Sequence, residues 1–195
     1  MFAFSKPTQS LIEDRLEAAR RMPLSYATPL GTKDGMAGVC VPLGYALDHS
    51  RSEIGYGSEA FASAKLALRH WLHFDLGWVR VANLEAKIEP GETVAVEAHS
   101  LGLWSVNLSR ILYIIDEPHR FGFGYGTTPL HVERGEERFL LEHNQISGAV
   151  YYDLLAVSQP AHWMAWLGYP YTRSQQQRFA RGSHRRIRQA LTYSP

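Results

Sequence analysis

The chain has 195 residues, 45% of them hydrophobic and 20% charged, and a formal net charge of +1, a composition typical of one globular domain with a buried core. The single Cys40 excludes an internal disulfide framework and any metal site built from several cysteines. Acidic residues appear too early for a signal peptide, and no apolar run approaches the ~20 residues of a membrane-spanning helix. We therefore predict a soluble, cytoplasmic protein with no membrane span.

The N-terminal part of the chain predicts a helix, a loop, a strand and a second helix. Ser5 is a candidate helix cap, and Pro7 lies where an early helical proline is tolerated. The Gly- and Pro-rich segment 24–45 lacks periodicity, which predicts a loop. The ranges that we predict are a helix over 7–22, a strand over 45–54, and an amphipathic helix over 59–74 capped by Ser58.

After residue 78 the hydrophobic pattern changes to period two, which is typical of strands. Short turns without intervening helices join these strands, so we predict an antiparallel sheet. The strands are predicted at 78–81, 93–99 and 104–115, on both sides of a turn within 121–143, and at 150–158. The remaining segment 161–191 is helical in character and ends in a long helix after a break at Pro170.

This order of elements predicts an α+β fold in a single domain, 1–195. Its parts are an N-terminal helix in 1–23, a strand, a helix and the antiparallel sheet in 45–158, and C-terminal helices in 161–191. A curved sheet of about six to seven strands packed on a long C-terminal helix resembles the helix-grip arrangement of START-type and polyketide-cyclase-like proteins. Such an arrangement would enclose an apolar pocket between the sheet and the helix.

The C-terminal segment is basic. From Leu154 to Pro195 there are six arginines and no acidic residue. Such a segment can bind an acidic partner, or it can form a solvated helix face that is paired with the acidic body of its own domain. Nucleic acid binding is not expected, because the net charge is near zero and the aromatic strands lack interleaved Lys and Arg.

The hairpin Phe121–His143, FGFGYGTTPLHVERGEERFLLEH, is the most unusual stretch of the sequence. Its first strand places aromatic residues on one face and three alternate glycines on the other, at Gly122, Gly124 and Gly126. Such glycines permit a close approach by a helix or a ligand, or they mark a bulge. A turn and a strand follow them, so neither a phosphate loop nor a dinucleotide-binding loop is predicted.

Two carboxylates are candidates for acid–base chemistry. Glu137 shares an otherwise apolar strand face, and Asp153 lies in a strand that is apolar on nearly both faces. A buried carboxylate has a raised pKa unless a cation or hydrogen bonds compensate, so each residue can be a general acid or base, or the structural partner of an arginine. For Asp153 the candidate arginines are Arg110 and Arg138, whereas Glu136 and Arg138 are predicted to form a surface pair.

The sequence predicts neither a metal nor a cofactor. His70 and His73 are three residues apart on a predicted helix, but no third ligand accompanies them. His131 and His143 have a spacing that matches no standard metal site. No G-x-S-x-G motif is present, and Cys40 has no catalytic motif around it, so nucleophilic catalysis is unsupported.

The hairpin and the following AVSQPAHWMAWLGYP segment resemble a family known as domain of unknown function nineteen-ninety. Its members commonly show a GF-YGTLPGH–GEERF pattern followed by AFSRPA–W–LG–P, and the likeness covers residues 24 to 191. Thr128, Leu130 and Gln159 stand where Leu, Gly and Arg are usual, and the last change removes a positive charge near the candidate site. The resemblance implies a family but no activity, substrate or catalytic residue.

Our leading hypothesis is a non-enzymatic domain that binds a small apolar or amphipathic molecule between the sheet and the C-terminal helix. The first alternative is a cyclase- or hydrolase-type enzyme that uses Glu137 or Asp153 as acid or base together with His131. The second is a protein-interaction module with a basic C-terminal helix. Neither the ligand nor the oligomeric state is predicted. The residues that we expect to bind the ligand are Tyr125, His131, Glu137, Arg138 and Trp163.

Overall fold

The structure is a computed structural model that describes residues 2–27, 29–161 and 169–192. Its strands are β1 (Phe2–Ala3), β2 (Ala46–Tyr56), β3 (Val79–Val81), β4 (Thr93–Ser100), β5 (Leu103–Glu117), β6 (Arg120–Thr127), β7 (Glu133–His143) and β8 (Ala149–Pro160). Its α-helices are α1 (Gln9–Arg21), α2 (Gly57–Arg69) and α3 (Tyr169–Thr192), and short 3-10 turns lie at Thr32–Ala37 and Leu72–Phe74.

All the strands belong to one antiparallel sheet. The order of its seven main strands is β2-β8-β7-β6-β5-β4-β3, and β1 pairs with β5. The sheet is curled into a half-barrel, with α2 and α3 against its inner face. The predicted curved antiparallel sheet on a long C-terminal helix is therefore confirmed, while the part of the predicted C-terminal helices at 162–168 lies outside the described residues.

The helix starts differ from the predicted caps. α1 is capped by Thr8, whose hydroxyl accepts a hydrogen bond from the Leu11 amide at 3.3 Å, and not by Ser5. α2 follows β2 directly through Gly57 at φ 84°, with Tyr56 as its N-cap and no side-chain cap from Ser58. A glycine adopts this positive φ without strain, so the strand can turn into the helix with no loop between them.

Aromatic residues form the inner core between the sheet and the helices. Phe123 and Phe139 face inward from β6 and β7 with ring centroids 5.1 Å apart. Trp71 lies edge-on to Phe123 at 5.3 Å, and Phe179 of α3 lies 6.4 Å from Phe139. Such aromatic contacts add to the free energy of burying these large rings, and they bind α3 and Trp71, which follows α2, to the same part of the sheet.

Hydrogen bonds fasten α3 to the sheet. His184 is buried on α3, with Nε2 2.9 Å from Ser50 Oγ and Nδ1 2.7 Å from Ser52 Oγ on the edge strand β2. Next to it, Ser183 Oγ lies 3.0 Å from Tyr152 Oη on β8. These bonds satisfy polar groups that would otherwise be buried without partners. None of the helices in the described ranges combines the length and the apolar composition needed to cross a membrane.

The outer face of the sheet is covered by α1 and by the loop that precedes β2. α1 packs over β4 and β5 through Ile12 and Leu16, which contact Val106 and Leu108. The loop covers β7, where the Leu30 amide donates to Glu136 Oε1 at 3.0 Å. The predicted surface pair of Glu136 and Arg138 is therefore wrong, because this cover leaves both residues only 5% exposed.

The glycines of β6 make room for tyrosine side chains on the outer face. A Cβ on Gly124 would lie 2.2 Å from Tyr113 Cζ, and one on Gly126 would lie 2.2 Å from Tyr26 Oη. Tyr113 directly follows a register shift in the β5–β6 pairing, at Ile111/Tyr113. The expected close approach is thus present, but the approaching groups are rings from β5 and from the covering loop, on the face away from α3.

Candidate functional site

A cavity of about 730 Å³ lies between the inner face of the sheet and the N-terminal part of α3. Its walls are largely apolar and are formed by Val96, Ala98, Leu154, Ala156, Phe179 and Ala180, among others. A volume of this size is typical of pockets for small organic molecules. Polar side chains line the cavity from several elements, among them Asp48 and Ser50 of β2, Glu133 and Glu137 of β7, and Gln175 and Gln176 of α3.

Glu137 of β7 faces the cavity next to Tyr125 of β6, its partner in the strand register. Tyr125 Oη donates a hydrogen bond of 2.6 Å to Glu137 Oε2. Burial raises the pKa of Glu137 to about 7, and the hydrogen bond from Tyr125 offsets part of this effect. Burial also raises the pKa of Tyr125 well above its ordinary value, so Tyr125 is a neutral donor.

Glu133 lies four residues before Glu137 on the same strand, so both carboxylates are on the inner face. Gln176 Nε2 of α3 donates to Glu133 Oε1 at 2.8 Å and to Ser158 Oγ at 3.1 Å. Burial raises the pKa of Glu133 to about 7, although the hydrogen bond from Gln176 lowers it in part. Beside this group, Arg173 of α3 forms an ion pair with Asp48 of β2.

His131 lies in the turn before β7 and also lines the cavity. Its Nδ1 accepts a hydrogen bond of 2.9 Å from the Glu133 amide. Burial lowers the pKa of His131 to about 4, so its imidazole is neutral at neutral pH. A neutral imidazole with one nitrogen used by the backbone can orient a ligand but is a weak base.

Arg138 and Asp153 lie on the outer face of the sheet and do not line the cavity. Arg138 Nη2 donates to Asp153 Oδ1 at 2.8 Å, and His49 Nε2 is 2.9 Å from Asp153 Oδ2. Burial alone would raise the pKa of Asp153, but the hydrogen bonds from His49 and Arg138 outweigh it and hold the pKa below its ordinary value. Asp153 is thus the partner of a buried arginine.

The structure brings together three of the residues that the sequence singles out, namely Tyr125, His131 and Glu137. Arg138 and Asp153 are separated from them by the sheet, and Trp163 lies outside the described residues. Glu133 was not predicted, although its separation of four residues from Glu137 signals a shared strand face. Asp48, Arg173 and Gln176 reach the site from distant elements, and no local signal identifies them.

Within the described ranges, no three His, Cys, Asp or Glu side chains converge in the arrangement that a metal ion requires. The two inner-face carboxylates of β7 are bound by a tyrosine and a glutamine. The chemistry of the site is therefore that of protonatable carboxyl groups at the polar end of an apolar cavity.

A curled antiparallel sheet around a long C-terminal helix, with a cavity between them, defines a helix-grip fold. Solved structures with the same fold include Ara h 8.0201, with a TM-score of 0.53 and 16% sequence identity over 77% of this chain and 100% of that chain. The di-domain ARO/CYC BexL of the BE-7585A biosynthetic pathway has a TM-score of 0.52 and 14% identity over 79% of this chain and 52% of its own.

The chain belongs to the family described as a domain of unknown function (DUF1990), whose model matches residues 28–186. A UPF0548 protein of Dictyostelium discoideum is 35% identical over 195 residues, which cover 92% of this chain and 90% of that protein. A UPF0548 protein of Deinococcus radiodurans is 34% identical over 192 residues, with 93% and 94% coverage. The family resemblance seen in the hairpin is thereby confirmed.

Proposed function

We propose that this protein binds a small apolar or amphipathic molecule in the cavity between the sheet and α3. The observation that supports this most strongly is the cavity of about 730 Å³, whose largely apolar walls carry a group of polar side chains around Glu137. Binding sites for small molecules generally combine such walls with a small number of placed polar groups. An apolar ligand would gain free energy by removing the exposed wall of the cavity from water.

The polar end of the ligand would lie at Tyr125, His131 and Glu137. Tyr125 donates to one carboxylate oxygen of Glu137, Oε2, and no other described residue forms a hydrogen bond with this carboxylate. Glu137 remains partly accessible, because it faces the cavity. The carboxyl group can accept a hydrogen bond from the ligand when ionised, and it can also donate one when protonated.

A second candidate function is proton transfer in a cyclase- or hydrolase-type reaction. It is favoured by the Glu137 pKa of about 7, because a general acid or base works best with a pKa near the working pH. This candidate would be selected over simple binding if the wild type converts a bound compound and Glu137→Gln still binds that compound but no longer converts it.

The binding proposal predicts that filling the cavity abolishes uptake of a neutral fluorescent probe, N-phenyl-1-naphthylamine. Ala156 lines the cavity directly across from Glu137 in the β7–β8 register, so Ala156→Trp would occupy the space. We expect saturable binding of one probe per wild-type molecule and at least a tenfold weaker affinity in this variant, measured by probe fluorescence.

The matched control is Ala62→Trp, at an exposed position of α2, which we expect to bind the probe like the wild type. Circular dichroism and thermal unfolding would show that both variants are folded. Wild-type affinity in a folded Ala156→Trp variant would contradict the proposal, as would a wild type that takes up no probe.

A further inference from the structure

The polar end of the cavity is rich in acidic groups. Glu133 and Glu137 face inward from β7, and Asp48 faces inward from β2 at the same end. Asp48 and Glu137 are the register partners of Ala156 on its two sides, so the three acids share one part of the inner face. Burial raises the pKa of Glu137, and the negative charges of Glu133 and Asp48 raise it further. Three acids at one end of an apolar cavity favour a ligand of opposite charge.

The arginine at this end of the cavity, Arg173, interacts with Asp48 and Glu133, whereas Glu137 is bound by a neutral group. Arg173 is paired with Asp48, and its charge also lowers the pKa of Glu133. Among the described residues, the only hydrogen bond to the Glu137 carboxylate comes from Tyr125, a neutral group. The other carboxylate oxygen of Glu137, Oε1, accepts no hydrogen bond from any described residue.

Titratable and charged groups lie near Glu137 on several elements. Besides Glu137, the charged or titratable residues that line the cavity are Asp48 and His49 of β2, Tyr125 of β6, His131 of the turn before β7, Glu133 and Glu136 of β7, and Tyr171 and Arg181 of α3. Tyr152 of β8 and Arg173 of α3 interact with these groups from beside the lining. His131 has a pKa lowered to about 4 by burial, so it is neutral above pH 5. Arg181 is at an exposed position of the lining, where water screens its charge.

We infer that the ligand of the cavity is an amphipathic organic cation, a protonated amine with an apolar body, whose nitrogen binds Glu137. This inference rests on the proposed binding function and specifies the class of molecule that the site takes. The ammonium group would donate to the free Oε1 of Glu137, while Tyr125 holds Oε2 in place. The apolar body would lie along Leu154, Ala156 and the inner side of α3.

The physical reason for this preference is the cost of burying an unpaired carboxylate. A cation removes that cost by forming a charge-assisted hydrogen bond in a region of low dielectric constant. A neutral alcohol of the same shape forms one ordinary hydrogen bond, and a carboxylate ligand adds a further negative charge next to Glu133 and Glu137. We therefore expect the binding affinity to decrease in the order amine, alcohol, carboxylate.

The test is a competition between three ligands with the same body, 4-phenylbutylamine, 4-phenylbutanol and 4-phenylbutyrate, for the site of N-phenyl-1-naphthylamine. At pH 8 and low salt we expect the amine to displace the probe at a concentration at least tenfold below that of the alcohol, with the carboxylate weakest. At pH 5.5, where Glu133 and Glu137 are largely protonated, the ratio between amine and alcohol should fall several-fold.

The variant Glu137→Gln should reduce the ratio between amine and alcohol to less than about threefold at pH 8, because it removes the charge and keeps the shape. Glu142→Gln is the matched control, since Glu142 is on the outer face of β7 and pairs with Arg51 and Arg120. This control should keep the full ratio.

The outcomes separate this inference from the binding proposal. Probe binding with no advantage of the amine over the alcohol would overturn the inference and leave the proposed function standing. An amine preference that survives in Glu137→Gln would also overturn it, because the carboxylate would not be the group that binds the cation. Failure of the wild type to bind the probe at all would overturn both.

Discussion

Replacement of Asp153 by asparagine is expected to lower the free energy of unfolding by about 3–5 kcal/mol, because it leaves a buried arginine without its counter-ion. Arg138 is 5% exposed and Asp153 is 3% exposed, and the two are joined by a hydrogen bond of 2.8 Å. Arg138 Nε has no hydrogen-bond partner among the described residues, so the ion pair that Nη2 makes with Asp153 carries the compensation that the structure shows for the buried guanidinium. Chemical denaturation at pH 7 would measure the loss.

Two controls decide whether the loss comes from the unpaired charge. Glu142→Gln breaks ion pairs that are partly exposed, with a side-chain exposure of 28% for Glu142, and should cost less than about 1 kcal/mol. The double variant Arg138→Met/Asp153→Leu removes both charges and should recover most of the stability. A loss below about 1 kcal/mol for Asp153→Asn would contradict a structural role for this pair.

The pH dependence of this pair has a definite sign. Because the pKa of Asp153 is lowered in the folded state, its contribution to stability is present above the ordinary pKa of 3.8 and is lost as the pH falls below it. The wild type should therefore lose stability below pH 4 more steeply than Asp153→Asn does.

Glu137→Gln is expected to stabilise the ligand-free protein at high pH, by about 2 kcal/mol above pH 7. The pKa of Glu137 is raised to about 7 from an ordinary value of 4.5, so ionisation is harder in the folded state than in the unfolded one. The full shift corresponds to about 3 kcal/mol, and water in the cavity reduces that value. Glutamine keeps an acceptor for Tyr125 and cannot ionise.

The sign follows from proton linkage. A raised pKa of an acid contributes stability that is present below pH 4.5 and is lost as the pH rises to about 7. The histidines act in the opposite direction, since burial lowers the pKa of His73 to about 3 and of His131 to about 4, and their contribution is lost as the pH falls below 6.5. The difference between Glu137→Gln and wild type removes the histidines from the comparison.

The measurement is chemical denaturation of both proteins between pH 4.5 and 8.5. The stability of Glu137→Gln relative to wild type should rise with pH and level off above pH 7. A difference that stays constant with pH would show that Glu137 has an ordinary pKa, which would contradict its burial at the cavity.

The alternation of strand residues predicted which side chains share a face, and this part of the site was accessible from the sequence. It placed Glu137 with Phe139 and Leu141, and the structure puts these residues on the inner face together. The same alternation puts Arg138 on the opposite face from Glu137, and the structure places Arg138 outside the cavity, although we expected it to bind the ligand together with Glu137. Alternation describes relative faces within one strand, however, and does not state which groups cover each face.

The cover of the outer face could not be predicted, because the loop 24–45 has no periodic pattern. That loop buries Glu136, which was expected at the surface, through bonds from Leu30 and Thr32. The hydrogen bonds of His184 with Ser50 and Ser52 could not be predicted either, since they join residues more than 130 positions apart in the chain. Such contacts depend on the completed fold and have no local sequence signal.

The central claim, that the cavity binds a small molecule at Glu137, is tested most directly by nuclear magnetic resonance of the isotope-labelled protein. We predict that adding N-phenyl-1-naphthylamine produces saturable shifts that are largest for the backbone amides of Tyr125, Glu137, Ala156 and Gln176, which surround the cavity. Shifts centred on α1, on the outer face, or no saturable shifts at all would contradict it.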